Sequence, residues 1–264
     1  MNSIWTETIK MPKFEALEGE VHTDVLIIGG GITGLLCAHF LEKSGVDYLL
    51  VEGRTICSGI TKNTTAKITA QHGLIYGGLL KNSGLEKARM YLEANLKAVE
   101  NYFELCRGID CDFEERTNYV YSTMDRHRLE REAESLEKIG YRPLFLEKTN
   151  LPFATAGAVG FPRQAQFHPL KFLAEIAQGL KIHENTFVTK LSEDTALTEN
   201  ARITFQRVIF ATHFPIDNKH GLYFLKMYQH RSYVIALENA APVTEMYVDE
   251  DKKGLFLETM RNFC

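Results

Sequence analysis

The glycine-rich run Gly29-Gly30-Gly31-Ile32-Thr33-Gly34 constrains the fold of this chain more than any other feature. It follows residues 24–28, an apolar segment typical of a strand buried in a parallel sheet, and it opens a helical pattern over residues 32–44. A second apolar segment, residues 48–51, ends at Glu52. Strand, glycine turn, helix, strand and terminal acid in this order predict a βαβ unit with a dinucleotide-binding fingerprint.

Each part of this fingerprint has a physical role toward a bound pyrophosphate. Gly29 allows a tight turn, Gly31 lets the backbone approach the ligand, and Gly34 lets the helix pack closely on the strand. Thr33 lies in the first turn of the helix, whose N-terminus supplies amide donors and a positive dipole. Glu52 is placed to accept hydrogen bonds from ribose hydroxyls. The fingerprint serves NAD and FAD alike, and a glycine-rich turn that binds nothing is the alternative.

The rest of the chain mixes helices with short strands. Helical patterns begin at Leu85, at Asp125 and at Pro169, which suits the first turn of a helix. Strands are predicted at 118–123, 157–161, 187–188, 203–205 and 208–212, with 231–237 and 245–258 as an antiparallel pair around a turn at 249–253. This interleaving predicts an α/β fold: a Rossmann-like FAD- or NAD-binding domain with a parallel sheet, and an inserted antiparallel α+β substrate domain. The predicted limits are 20–76 with 168–215 for the first domain and 77–167 with 216–264 for the second.

The composition points to a small-molecule partner. Thirty Lys and Arg against 34 Asp and Glu leave no electrostatic footprint for nucleic acid. The five cysteines have no zinc-binding spacing and fit a reducing cytoplasm. The first 20 residues lack the apolar core of a signal peptide, and the longest apolar stretch, residues 25–38, is too short to cross a bilayer. We therefore expect a cytoplasmic protein with no nucleic acid, membrane or metal partner.

Three further segments carry a resemblance to a known family. They are TTAKITAQHGLIY from Thr64, QAQFHPLKFL from Gln164 and VIFATHFPI from Val208. The stretch from Glu52 to Lys67 resembles the second glycine- and hydroxyl-rich stretch of the D-amino acid oxidase and glycine oxidase superfamily of FAD-dependent oxidoreductases. More narrowly, the three segments look like the subgroup whose longer members carry a C-terminal Rieske iron-sulfur domain. The resemblance runs from about residue 24 to residue 261, and it implies FAD as the cofactor.

The resemblance also implies which residues contact that cofactor. In the family, the segment equivalent to residues 59–67 lies along the pyrophosphate and the flavin ring, and the stretch equivalent to Phe187-Val188 lies at the adenine. The turn Ala211-Thr212-His213 is similar to an Ala-Thr-Gly turn, with histidine in place of the usual glycine. Beyond the fingerprint, the residues so assigned to FAD are Gly53, Arg54, Thr61, Thr64, Thr65, Ala66, Lys67, Val188, Ala211 and Thr212. The alternatives are a polar loop with a helix N-cap at Thr64 and, for the later segments, ordinary buried sheet.

Other polar residues have weaker assignments. Lys67 would stabilise an anionic reduced flavin or an anionic substrate, and a surface lysine is the alternative. Cys37 lies in the first predicted helix, and we interpret it as a core thiol rather than half of a Rieske ligand set. The side chains that capping or sheet alternation explains as well as substrate contact are His72, His168, Tyr223, Lys226, Arg231 and Tyr233. No catalytic base is identified.

The leading hypothesis is therefore the front part of an FAD-dependent oxidoreductase. Family members oxidise amines and amino acids by hydride transfer to the flavin, and the Rieske-bearing subgroup implies an iron-sulfur electron partner. A non-catalytic nucleotide-binding fragment and an NAD-dependent dehydrogenase are the alternatives. Because residues 255–264 are still strand-like where the family continues with a further strand and a glycine-rich stretch, we expect a chain that holds FAD loosely.

Overall fold

A computed structural model describes residues 3–216, 221–228, 239, 242–252 and 256–257. The chain divides into two compact units. Unit 1 consists of Met1–Thr64 and His168–His230, and unit 2 consists of Thr65–Phe167 and Arg231–Cys264. The domain limits given above, with breaks after residues 76, 167 and 215, stay a prediction.

Helices and strands alternate through the described residues. The strands are β1 Gly19–Ile28, β2 Tyr48–Val51, β3 Lys67–Ile68, β4 Glu114–Ser122, β5 Leu144–Leu146, β6 Gly157–Gln166, β7 Ile182–His183, β8 Lys190–Leu191, β9 Thr195–Leu197, β10 Ala201–Phe210, β11 Met246–Asp249 and β12 Phe256–Leu257. The helices are α1 Ile4–Glu7, α2 Ile32–Lys43, α3 Tyr76–Leu105, α4 Arg126–Lys138, α5 Pro169–Ile176 and α6 Tyr223–Lys226, with a 3₁₀ helix at Ile60–Asn63. Within the part of the chain that the structure describes, no helix is both long and apolar enough to cross a membrane.

The sheet of unit 1 has the strand order β7-β2-β1-β10-β9-β8. The first four of these strands run parallel, and β9 and β8 extend the sheet in antiparallel fashion. Apolar side chains of β1, β2 and β10 form one buried core, as the apolar runs of the sequence predict. Because parallel strands end at the same edge of a sheet, Gly29, Glu52 and Ala211, which follow β1, β2 and β10, are brought to that edge.

The predicted βαβ unit is confirmed. Gly45, just beyond α2, has the left-handed φ of +66° that ends many helices, and β2 has its predicted bounds. The strands predicted at 203–205 and 208–212 are in fact one strand, β10. Polar residues lie between the two apolar segments because the strand is long enough to present them at its surface. Gln206, for example, donates from Nε2 to Asp24 Oδ1 at 2.7 Å.

Unit 2 has a mainly antiparallel sheet with strand order β12-β11-β4-β6-β3, and β5 also pairs with β6. Only the pairing of β11 with β4 is parallel among its described strands. The sequence predicts α3 from Leu85, but the helix begins at Tyr76 and kinks at Gly84, whose φ is +83°. Asp125 caps α4 by accepting a hydrogen bond from the Arg128 amide at 2.9 Å. The predicted fold class, a parallel α/β part with an antiparallel α+β part, is confirmed.

Two strand predictions have other outcomes. Residues 187–188 lie in an irregular segment between β7 and β8, so the prediction of a strand there is wrong. The chain turns just before them because the amides of Asn185 and Thr186 donate to the carbonyls of Arg54 and Glu52, both at 2.8 Å. The predicted strand 231–237 lies outside the described residues. The antiparallel pair that is described joins β11 to β12, on either side of residues 250–255.

Candidate functional site

A cleft of about 1350 Å³ opens in unit 1 at the edge where β1, β2 and β10 end. Its walls are the glycine turn, the loop after β2, the loop around the 3₁₀ helix and the turn after β10. Of the residues assigned from the sequence, those that line it are Gly29, Gly31, Thr33, Glu52, Gly53, Arg54, Thr61, Thr64, Val188, Ala211 and Thr212. The structure thus brings most of the predicted nucleotide contacts together within one unit.

Two glycines of the turn are required by the fold itself. Gly29 has a φ of +113°, and a Cβ on it would lie 2.5 Å from the carbonyl oxygen of Ala211. A Cβ on Gly34 would overlap the carbonyl oxygen of Gly29, so this position lets α2 pack against the end of β1. Gly34 is buried and is not among the residues that line the cleft. These two positions would be glycine whether or not a ligand is bound.

Gly31 differs from both, because its backbone does not need a glycine. It is the N-cap of α2, with φ −82° and ψ −175°, an extended conformation that any residue adopts. The nearest atom that a Cβ would meet is Thr61 Oγ1 at 3.2 Å, on the opposite wall of the cleft. The missing side chain therefore keeps space open in front of the N-terminus of α2, where amide donors favour an anion.

Glu52 binds the backbone of the cleft wall. Its Oε2 accepts a hydrogen bond from the Gly30 amide at 2.7 Å, and its Oε1 accepts one from the Arg54 amide at 2.8 Å. A carboxylate has about four acceptor positions, so each oxygen keeps capacity for a further donor. The carboxylate thus joins the glycine turn to the loop after β2, and it still faces the cleft.

The loop that contains the 3₁₀ helix also contacts the glycine turn. Thr61 Oγ1 accepts a hydrogen bond from the Ile32 amide, in the first turn of α2, at 3.1 Å. Thr64 follows the 3₁₀ helix with extended φ and ψ of −73° and 154°, so the alternative of a helix N-cap at Thr64 is wrong. Thr65, Ala66 and Lys67 belong to unit 2, where Lys67 begins β3 opposite Gln166.

The turn after β10 is held close to β1. The Ala211 amide donates to the Ile28 carbonyl at 2.9 Å, and Thr212 Oγ1 donates to the Phe214 carbonyl at 2.6 Å. His213 has a φ of +64°, the left-handed conformation that the usual glycine of this turn would adopt without strain. The histidine therefore keeps the turn geometry at a conformational cost.

Several lining residues were not assigned from the sequence. The ring of Phe187 is 68% exposed and lies against Gly53, where an added Cβ would be 2.7 Å from its Cδ2. Cys57 is buried at the wall with a φ of +57°. The segments that carry these residues, 52–67 and 187–188, were recognised by resemblance, but that resemblance does not say which side chains turn toward the cleft. Further lining residues of this kind are Thr55, Ser58, Thr186, Phe210 and Phe214.

The weaker candidates have mixed outcomes. His168 is the buried N-cap of α5, and its Nδ1 accepts from the Lys171 amide at 3.1 Å, so its capping role is confirmed. His72 Nδ1 lies 3.2 Å from Tyr91 Oη in unit 2. Tyr223 lines the cleft, whereas Lys226 is not among its lining residues, and Arg231 and Tyr233 lie outside the described residues. Cys37 is only partly buried, so its interpretation as a core residue is wrong; its neighbour Ala38 is the buried one.

The environment of Cys57 predicts an unreactive thiol. Burial first, and then the negative charges of Glu52 and Glu184, raise the pKa of Cys57 to about 12. Since the thiolate is the nucleophile, we expect iodoacetamide at pH 8 to alkylate Cys57 at least roughly tenfold more slowly in the folded protein than in urea. Peptide mass spectrometry after timed quenching measures both rates. Equal rates in the two states would show that the folded thiol ionises normally.

Comparisons with known proteins concern the family and the fold of this chain. The sequence model of one family, described as FAD dependent oxidoreductase (DAO), matches residues 24–263. "Putative Rieske 2Fe-2S iron-sulfur protein YhfW" of Bacillus subtilis is 33% identical, over 96% of this chain and 52% of its own length. Gamma-glutamylputrescine oxidoreductase of Escherichia coli is 24% identical, over 80% of this chain and 53% of its own length. The chain spans about half the length of these relatives.

Solved structures share the fold. Glycine oxidase from Geobacillus kaustophilus superposes with a TM-score of 0.64 at 20% identity, over 92% of this chain and 70% of that protein. L-proline dehydrogenase from P. horikoshii superposes with a TM-score of 0.57 at 21% identity, over 73% of this chain and 53% of that protein. At these identities the likeness concerns the fold alone.

Proposed function

This chain belongs to the FAD-dependent oxidoreductase family, and from that premise we propose that unit 1 binds FAD in its cleft. The observation that carries the proposal is Gly31. Its ordinary backbone angles give no conformational reason for a glycine, and its missing side chain leaves the N-terminus of α2 open to a ligand beside Thr61, whose Oγ1 would lie 3.2 Å from a Cβ. The residues around it suit a dinucleotide, because backbone amide donors for a pyrophosphate, a carboxylate for ribose hydroxyls and a glycine without a side chain occur together.

The proposed contacts follow from the position of each wall. The N-terminus of α2 holds the pyrophosphate, with Gly29 and Gly31 giving it room and Thr33 in the first helical turn. The free acceptor positions of Glu52 bind the hydroxyls of the adenosine ribose. The remaining proposed contacts in unit 1 are Gly53, Arg54, Thr61, Thr64, Val188, Ala211 and Thr212. Thr65, Ala66 and Lys67 stay predicted contacts of the same cofactor.

The proposed reaction is oxidation of a small amine or amino-acid-like substrate. When bound, FAD supplies the hydride acceptor, and this chain's residues bind and orient it. Support for the substrate class comes from the relative named gamma-glutamylputrescine oxidoreductase and from shared fold with a glycine oxidase. The relative with a Rieske name supports an iron-sulfur electron partner. Among the described residues we assign no catalytic base.

Calorimetry separates the cofactors. We expect FAD to give a saturable heat with the purified chain and NADH to give none, because the chain belongs to a family of FAD-dependent enzymes. Heat with NADH and not with FAD would make the chain a nicotinamide-binding protein. The visible absorbance of the protein after gel filtration then measures how firmly the flavin is held, because a loosely held flavin is lost on the column.

A second measurement tests the reaction. The FAD-loaded protein is mixed with a panel of amines and amino acids and an artificial electron acceptor, and reduction of the acceptor is followed. Turnover with a member of the panel supports the oxidoreductase proposal. Saturable FAD binding with no turnover on any of them would instead make this chain a non-catalytic nucleotide-binding part.

A further inference from the structure

The N-terminal segment of the chain is fastened to the loop that forms one wall of the cleft. Trp5 in α1 is 3% exposed, and its Nε1 donates a hydrogen bond to the Thr64 carbonyl at 3.0 Å. Ser3 Oγ donates to the Lys62 carbonyl in the same loop. These two hydrogen bonds join Ser3 and α1 to the carbonyls of Lys62 and Thr64, each 59 residues further along the chain.

The fastened loop is the one that contacts the N-terminus of α2. Thr61 Oγ1 accepts the Ile32 amide at 3.1 Å, and both residues line the cleft beside Gly31. The contacts therefore form a continuous series from Trp5 through the backbone of residues 61–64 to the helix end that faces the ligand space. A shift of this loop would move Thr61 away from Ile32 and change the width of the cleft.

Trp5 also packs against His168, the N-cap residue of α5. Its ring meets the ring of His168 edge-on, with centroids 5.0 Å apart. Because His168 Nδ1 accepts the Lys171 amide, the neutral ring carries its proton on Nε2, which lies 2.7 Å from Thr8 Oγ1 and donates to it. Thr8 Oγ1 in turn donates to the Trp5 carbonyl at 3.2 Å.

The segment reaches a second wall of the cleft at its other end. The Phe14 amide donates to Glu184 Oε2 at 3.2 Å, and the Leu17 amide donates to Thr186 Oγ1 at 3.0 Å. Glu184 Oε1 accepts the Ile56 amide, in the loop after β2, at 2.7 Å. Glu184 is 2% exposed, so its carboxylate is committed to these backbone donors.

We propose that residues 3–17, which we call the N-terminal strap, set the width of the cleft, and that Trp5 is a positioning residue for the dinucleotide. The identity of the ligand in this inference rests on the proposed function. The series of contacts from Trp5 to Ile32 does not depend on that function. The strap acts by holding the loop with the 3₁₀ helix against α2, so that the Ile32 amide and Gly31 present one fixed surface to a pyrophosphate.

The test is Trp5→Phe, which keeps an aromatic ring but loses the donor to Thr64. The control is Tyr48→Phe in the same unit, which removes a buried hydroxyl that accepts the Lys181 amide at 3.2 Å and does not line the cleft. We expect FAD affinity, measured by flavin fluorescence, to fall roughly threefold to tenfold in Trp5→Phe, the scale of one lost hydrogen bond. It should change less than about twofold in Tyr48→Phe.

Amide hydrogen exchange without FAD separates positioning from general weakening. Trp5→Phe should speed exchange at Ile32 and in residues 60–64, and leave the interior of α2 unchanged. Equal affinity losses in the two variants, or faster exchange throughout unit 1, would overturn the inference. If wild-type protein does not bind FAD, the proposed function fails, and the exchange result decides the strap: unchanged exchange at Ile32 overturns it, and a local increase supports it.

Discussion

Gly31→Val is expected to weaken FAD binding by about 100-fold, while the circular dichroism of the apoprotein stays close to wild type and its unfolding temperature falls only slightly, because the new side chain must displace Thr61 Oγ1. The backbone at this position, with φ −82° and ψ −175°, suits valine as well as glycine. The added methyl groups would point into the space between α2 and Thr61, where the pyrophosphate is proposed to lie. Calorimetric titration of the variant measures the loss.

Gly78→Val is the matched control for that variant. Gly78 is exposed in the first part of α3, and a Cβ there has no atom within 4 Å, so the same side chain is added without crossing a ligand space. Its FAD affinity should equal that of wild type. FAD affinity in Gly31→Val that also equals wild type would contradict the proposal, because the glycine turn would then face no ligand.

The elements with strong local patterns could be predicted from the sequence. The glycine turn, α2 and β2 follow from an apolar strand, a helical period and a terminal acid that are close together in the chain. The first part of α3 could not be predicted, because Gly77, Gly78 and the kinked Gly84 weaken the helical pattern there. The pattern becomes clear only from Leu85, where the sequence places the start of the helix.

The part of the candidate site that lies in a local sequence pattern could be predicted, and the rest could not. Gly31 and Glu52 belong to a local fingerprint whose spacing carries physical meaning. The partners of Glu52 could not be read from the sequence, because its carboxylate accepts amides of two different loops. The strap could not be predicted either, since Trp5 and His168 are far apart in the sequence and meet only in the folded chain.

Removal of the Glu52 carboxylate should affect binding through two routes. The adenosine ribose would lose its charged acceptor, and the amides of Gly30 and Arg54 would lose the group that holds the two loops at their present separation. Glu52→Gln would keep only part of these contacts, because one of the two carboxylate oxygens becomes an NH₂ donor that faces a backbone amide donor. Alanine removes both contacts completely and is therefore the variant of choice.

Glu52→Ala is expected to weaken FAD binding by about 1 to 3 kcal/mol, the range for removing one partner of a charged hydrogen bond. Calorimetric titration with FAD and with ADP, which carries the same ribose, should give similar losses. Asp125→Ala is the control, because it removes a carboxylate that accepts a backbone amide at the start of α4 in unit 2. That variant should lose stability and keep its FAD affinity. An ADP affinity in Glu52→Ala that equals the wild-type value would contradict the ribose contact, since ADP carries that ribose.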